Sequence, residues 1–209
     1  MDKGGCLIVI SGFSGVGKGT VSRKLVEKYG YLVSVSATTR APRQGEVNGR
    51  EYFFVSKEDF LDSVSKNGFI EHATYVNNYY GTPRAFVESG LKEGRRIILE
   101  IEVQGALAVK EQYPDAALIF ITAPSAGELK ERLTGRGTES RDVIDARMER
   151  AVAESEYIEQ YDYIVCNENG KAEECADAIH HIVESRGMQV RQQKEFITRL
   201  KDELAGFRE

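Results

Sequence analysis

The sequence predicts an α/β fold of three layers, in which a parallel sheet of about five strands is covered by helices on both faces. Three observations carry that prediction. Short apolar, β-rich runs recur at Cys6 to Ile10, Leu32 to Val35, Ile97 to Ile101, Ala117 to Ile121 and Tyr163 to Cys166, mostly separated by segments of helical character. Such runs are apolar throughout because a parallel sheet is buried on both sides, and the crossovers here are long enough to hold helices. The first run leads through a glycine-rich turn into a helix-like segment, Val21 to Tyr29. The alternation breaks once, between Thr38 and Tyr80, where Tyr52-Phe53-Phe54-Val55, a helix-like Lys57 to Ser65, Phe69 to Tyr75 and a polar Asn77-Asn78 turn follow one another. That break reads as a small inserted α+β lobe, bounded at 36–90.

Composition bounds the rest. With 209 residues, 41% of them hydrophobic and 29% charged, the chain suits one large domain with a real core. A formal net charge of -5 gives no general attraction to nucleic acid or to an anionic membrane, so phosphate binding must come from local arginine clusters. The three cysteines, Cys6, Cys166 and Cys175, are widely spaced and odd in number, which favours reduced thiols over a disulfide frame or a metal site. His72, His180 and His181 lack ligand spacing, and no apolar stretch approaches a membrane span or a signal peptide. A soluble cytoplasmic protein is the expectation.

Taken in order, the first element is Gly12-Phe13-Ser14-Gly15-Val16-Gly17-Lys18-Gly19-Thr20, a phosphate cradle of the P-loop kind. Its glycines let several backbone N–H groups point inward, and the following helix adds the positive end of its dipole. Lys18 supplies a cation for outer phosphates and Thr20 a hydroxyl near the expected magnesium position. The pattern departs from the strict G-x-x-x-x-G-K-[ST] form, since Gly19 follows Lys18 and the hydroxyl comes one residue later. Next, Ser36-Ala37-Thr38-Thr39-Arg40-Ala41-Pro42-Arg43 sets two arginines around a proline-stiffened turn, a second anion site, because guanidinium groups grip phosphate in two-pronged fashion. Thr82-Pro83 gives an N-cap and first-turn proline to a helix over Arg84 to Lys92 that Gly94 closes, and Ser125 caps Gly127 to Leu133. Leu99-Glu100-Ile101-Glu102 ends an apolar strand, and alternation places both glutamates on one face if the extended backbone continues that far. Arg132-Leu133-Thr134-Gly135-Arg136-Gly137-Thr138 and Arg147, on a helix starting near Ser140, form a third cationic cluster, with glycines that permit a mobile segment.

Together with Gly49-Arg50-Glu51-Tyr52-Phe53-Phe54, Phe69-Ile70-Glu71, Asn78-Tyr79-Tyr80-Gly81-Thr82 and Leu99 to Gly105, these segments resemble the guanylate kinase family, P-loop enzymes that move the terminal phosphate of ATP onto GMP. The likeness covers about residues 6 to 184. It implies a single domain with a GMP-binding lobe at 36–90 and a short mobile lid at 132–150. It assigns ATP to the loop residues Gly12 through Thr20 and, more weakly, to Asn167. It assigns GMP to Ser36, Arg40, Arg43, Tyr52, Glu71, Tyr80, Thr82 and Glu102, with Arg40, Arg43, Tyr52 and Tyr80 on the phosphate. Lys18, Arg40, Arg132, Arg136 and Arg147 carry the catalytic charge. Magnesium comes with ATP, near Thr20 and Glu100, largely through water. The family usually has aspartate where Glu102 stands, and Arg141 and Arg150 match nothing in its pattern and read as solvated.

The chemistry of guanine agrees with this implied pocket. Guanine offers N1–H and its 2-amino group as adjacent donors that one carboxylate, Glu71, accepts together, while hydroxyls of Ser36 or Thr82 donate to O6. A kinase of another phosphate acceptor and a catalytically silent interaction module of the same fold are the alternatives. Beyond the likeness, in the extension at 187–209, Val190, Ile197, Leu200, Leu204 and Phe207 recur at helical spacing. That stripe either packs on the chain's own core, the favoured reading, or makes a homo-oligomer contact.

Overall fold

A computed structural model describes residues 5–75, 77–135 and 141–207. The first apolar run forms β1 (Cys6–Gly12), and its neighbours in the main sheet are set by equally apolar partners. With β2 (Leu32–Val33), β7 (Arg96–Glu100), β8 (Ala117–Thr122) and β9 (Tyr163–Cys166), it makes a five-stranded sheet in the order β2-β7-β1-β8-β9. Every pairing is parallel, with Leu7 opposite Ile97 and Ile8 opposite Ala117. Alternate residues of β1 go to opposite faces. Ile8 and Ile10 join Ile98, Ile119 and Ile121 under α1 (Lys18–Tyr29) and α7 (Ala172–Gly187). Leu7 and Val9 join Ile97, Leu99 and Leu118 under α3 (Arg84–Lys92) and α4 (Val103–Gln112). These are the three expected layers.

The interruption is a second sheet of four strands in the order β4-β3-β6-β5, made from β3 (Ala37–Thr38), β4 (Phe53–Phe54), β5 (Phe69–Tyr75) and β6 (Asn78–Pro83). Its β5–β6 hairpin turns at Asn77, whose φ of 61° suits asparagine. Phe60 of α2 (Lys57–Ser65) stacks on Phe69 there, and Ser56 caps α2 by accepting the Asp59 N–H at 3.0 Å. The arginine-bearing helices are α5 (Ala126–Thr134), capped by Ser125 as expected, and α6 (Arg141–Ser155). Arg136 and the rest of 136–140 in the expected lid lie outside the described residues.

Three local expectations are corrected. Thr82 is no helix cap: it belongs to β6, α3 begins after Pro83, and the Thr82 hydroxyl is drawn instead to Glu71. The extended backbone of β7 stops at Glu100, because the Ile101 carbonyl accepts the Ser11 hydroxyl at 2.7 Å and the chain turns into α4 at Glu102. The C-terminal stripe is divided, with Ile197, Leu200 and Leu204 on α8 (Lys194–Ala205), Val190 in a 3₁₀ turn at Val190–Gln192 and Phe207 past the helix end, and it does not pack on the core: no residue of α8 is buried, and Leu204 is 56% exposed. Among the described residues no helix is long and apolar enough to cross a membrane.

Candidate active site

The phosphate loop leaves the carboxyl end of β1, where ligands collect in open α/β sheets. Gly17 ends it in the left-handed region, φ 89°, where a Cβ would stand 2.8 Å from the side-chain nitrogen of Asn167. That amide donates to the Val16 carbonyl at 2.7 Å, so Asn167 braces the loop from behind, with its Oδ1 buried and unpaired. Arg132 in turn donates to the Asn167 carbonyl at 2.7 Å. Lys18 lies back across the loop, its Nζ donating to the carbonyls of Gly12 at 2.6 Å and Phe13 at 3.3 Å. Burial lowers the pKa of Lys18, against the opposing pull of Glu102, Glu154 and Glu100. Lys18, Thr20, Ser14, Glu100 and Arg23 line one cleft of about 400 Å³. From α6, Arg147 reaches into this group and donates to Ser14 Oγ at 2.8 Å. A hydroxyl and a carboxylate beside a phosphate cradle are hard oxygen donors, few in number, and suit a magnesium ion that keeps its waters and its bonds to phosphate.

On the lobe, Arg40 lies over the rings of Tyr52 and Phe54, at 5.5 and 5.7 Å from their centroids, and Tyr52 meets Tyr80 edge-on. Its guanidinium donates to Glu46 Oε1 at 2.9 Å and to the Ala41 carbonyl at 2.8 Å, while Glu46 Oε2 accepts the Arg43 backbone N–H at 2.7 Å. Glu46 thus ties the two expected phosphate arginines together, and the Arg40 bond holds its own pKa down. The Arg43 side chain is exposed, and half-buried Ser36 pairs β3 to β4 through its carbonyl.

Glu71 and Thr82 face each other across the β5–β6 ladder, 9% and 0% exposed. The Thr82 hydroxyl donates to Glu71 Oε1 at 2.5 Å, and Oε2 lies against Gly105 in the first turn of α4, where a Cβ would approach to 2.9 Å. Burial raises the Glu71 pKa, opposed by the bonds from Thr82. Glu102 stands at the N-cap of α4 without using its side chain as a cap. It is held instead by Arg150, whose guanidinium donates to Glu102 Oε2 and to Glu154 Oε1, each at 2.8 Å. Arg150 is therefore an ion-pair partner and not the solvated residue expected. Glu46, Gly105, Arg23 and Arg150 are the site residues to which the sequence reading assigned no role. Glu46 lies three residues from Arg43 and was within reach of a charge-pair search; the other three are placed only by tertiary packing.

The loop, Lys18, Thr20 and Glu100 are brought to one cleft, Arg147 is bonded to the loop at Ser14, Arg132 and Asn167 stand behind it, and Arg40, Tyr52 and Tyr80 form a separate cluster on the lobe. Comparison with known proteins identifies the family. The family model described as guanylate kinase matches residues 5–186. The guanylate kinase of Streptococcus thermophilus is 47% identical over 192 residues, 91% of each chain, and that of Clostridium tetani is 44% identical over 204 residues, 98% of this chain and 93% of the relative. The crystal structure of guanylate kinase from Anaplasma phagocytophilum superposes with a TM-score of 0.73 at 35% identity, covering 90% of this chain and 89% of the other. The model match runs from the strand before the phosphate loop to the last turn of α7, and the chain belongs to the guanylate kinase family.

Proposed function

We propose that the chain transfers the terminal phosphoryl group of ATP to GMP, giving ADP and GDP, by positioning and electrostatic stabilisation without a covalent enzyme intermediate. The observation that carries the reading is the buried carboxylate of Glu71, held by the Thr82 hydroxyl, a group of the kind that accepts the adjacent N1–H and 2-amino donors of guanine. Lys18 exchanges its loop carbonyls for the outer phosphates of ATP, and the loop amides hold them. Arg40, Arg43, Tyr52 and Tyr80 hold the GMP phosphate. Arg132, Arg136 and Arg147 offset charge as the phosphoryl group passes between oxygens. Thr20 and Glu100 hold ATP-borne magnesium, largely through water, and the ion supplies charge neutralisation across the phosphates. Asn167 serves ATP by fixing the loop. Closure of lobe and lid excludes water, which would otherwise take the phosphate. A cytoplasmic setting belongs to the same reading, with Cys6, Cys166 and Cys175 all free thiols. No observation favours another phosphate acceptor or a silent interaction module.

A coupled assay of ADP release across GMP, AMP, CMP and UMP tests the reading. GMP should exceed every other acceptor in kcat/KM by about a hundredfold or more, since buried groups built to pair with guanine are left unpaired by the others. Comparable turnover of AMP would overturn it.

A further inference from the structure

Arg147, Arg150 and Glu154 follow one another along α6 at spacings that place them on one side of the helix. Arg147 touches the phosphate loop through Ser14 Oγ at 2.8 Å. One turn later, Arg150 divides its guanidinium between Glu154, which is buried beneath it, and Glu102, at 2.8 Å each. The Glu102 side chain is 54% exposed, and the Arg150 bond is what orients it. The long side chain of Glu102 reaches out to Arg150. Glu102 also heads α4, the helix whose Gly105 backs the Glu71 carboxylate.

We propose that Arg150 is a positioning residue for the acceptor site, which fixes the carboxylate of Glu102 at the guanine pocket and does so from the same helix face that contacts the ATP loop. Held in this way, the long side chain presents its free oxygen in one place instead of many. An arginine fork suits the task because it grips two carboxylates at once, where a lysine would act as a single point of charge. The pairing also offsets two acids whose fields reach Lys18. This inference rests on the reading of Glu102 as a GMP contact.

The test is a double-mutant cycle on R150Q, E102Q and the double variant, with KM measured separately for GMP and ATP and with kcat and the melting temperature alongside. R150Q should raise the GMP KM by about tenfold and move the ATP KM far less, and the double variant should be no weaker than E102Q alone. R150K should recover only part of the loss, and it carries the same measurement if R150Q does not fold. Additive losses in the double variant, or equal shifts in both KM values, would overturn the proposal, since they describe a helix merely weakened. If E102Q weakens GMP and R150Q does not, the role of Arg150 alone falls. If E102Q leaves the GMP KM unchanged, Glu102 is no guanine contact and both readings fall.

Discussion

Glu71 is a carboxylate withdrawn from water, and its protonation decides what it can read. Burial favours the neutral acid, so its pKa stands above the usual carboxylate range. The protonated group would turn an O–H toward the N1–H of guanine, so GMP affinity should weaken as pH falls, starting above the range of an exposed glutamate. Fold stability runs the other way: a carboxyl whose pKa is raised on folding stabilises most below its unfolded value, and that contribution is lost as pH rises through the folded value. Glu71→Gln should abolish both dependences and lower kcat/KM for GMP by at least about tenfold, with a smaller loss for AMP, which has no such donor pair. Profiles of GMP KM and of melting temperature against pH, in both proteins, measure this. Equal losses for GMP and AMP would reduce Glu71 to a structural group. Glu71 and Thr82 were singled out through short motifs that resemble the family's, and the β5–β6 pairing sets them side by side. Arg150 was not, because its partner Glu102 lies 48 residues away and only the tertiary fold brings the two together.

At the scale of the element, α4 does more than cover the sheet. Its first turn approaches Glu71 so closely that a methyl group at position 105 would stand 2.9 Å from Oε2, while the Thr82 bond to Oε1 holds the other oxygen of the same carboxylate. Gly105→Ala should therefore shift the Glu71 carboxylate and, if that group is the guanine contact proposed above, raise the GMP KM by about tenfold, while the ATP KM holds. The helix itself gains from alanine, by up to about 1 kcal/mol of propensity, so the defect should appear without a large fall in melting temperature. Unchanged GMP kinetics would show that the carboxylate adapts. Elements were readable where their punctuation is local: α2 occupies the predicted Lys57–Ser65 because Ser56 caps it. They were misread where a distant group intervenes. The extended backbone of β7 was expected through Ile101, but the carbonyl there is taken by Ser11, 90 residues earlier in the chain.

Across the whole molecule, burial and the family-model match end together among the described residues. The family match closes at residue 186, and Arg186 is the last residue anchored in the core, 6% exposed and donating to the Asp115 carbonyl at 2.8 Å. Truncation after Arg186 should leave kcat and melting temperature essentially unchanged, because α8 buries nothing. Light scattering on the two forms decides what the apolar stripe does: fewer copies per particle after truncation marks a contact between copies, and an unchanged number of copies removes it. The stripe was visible as a helix in sequence, but periodicity reports that a face is apolar and is silent on what covers it. The central sheet has a different consequence, one of timing. β1 pairs with β7 and β8, so Leu7 waits for Ile97 and Ile8 waits for Ala117. Neither closure is local, and each long loop must be shut before any pairing rewards it. During synthesis the run from Leu7 to Ile10 leaves the ribosome with no partner strand yet made, a stretch of unpaired edge that invites association with other chains until β8 emerges. The strand that bears the phosphate loop is thus the first to be translated and among the last to be sheltered.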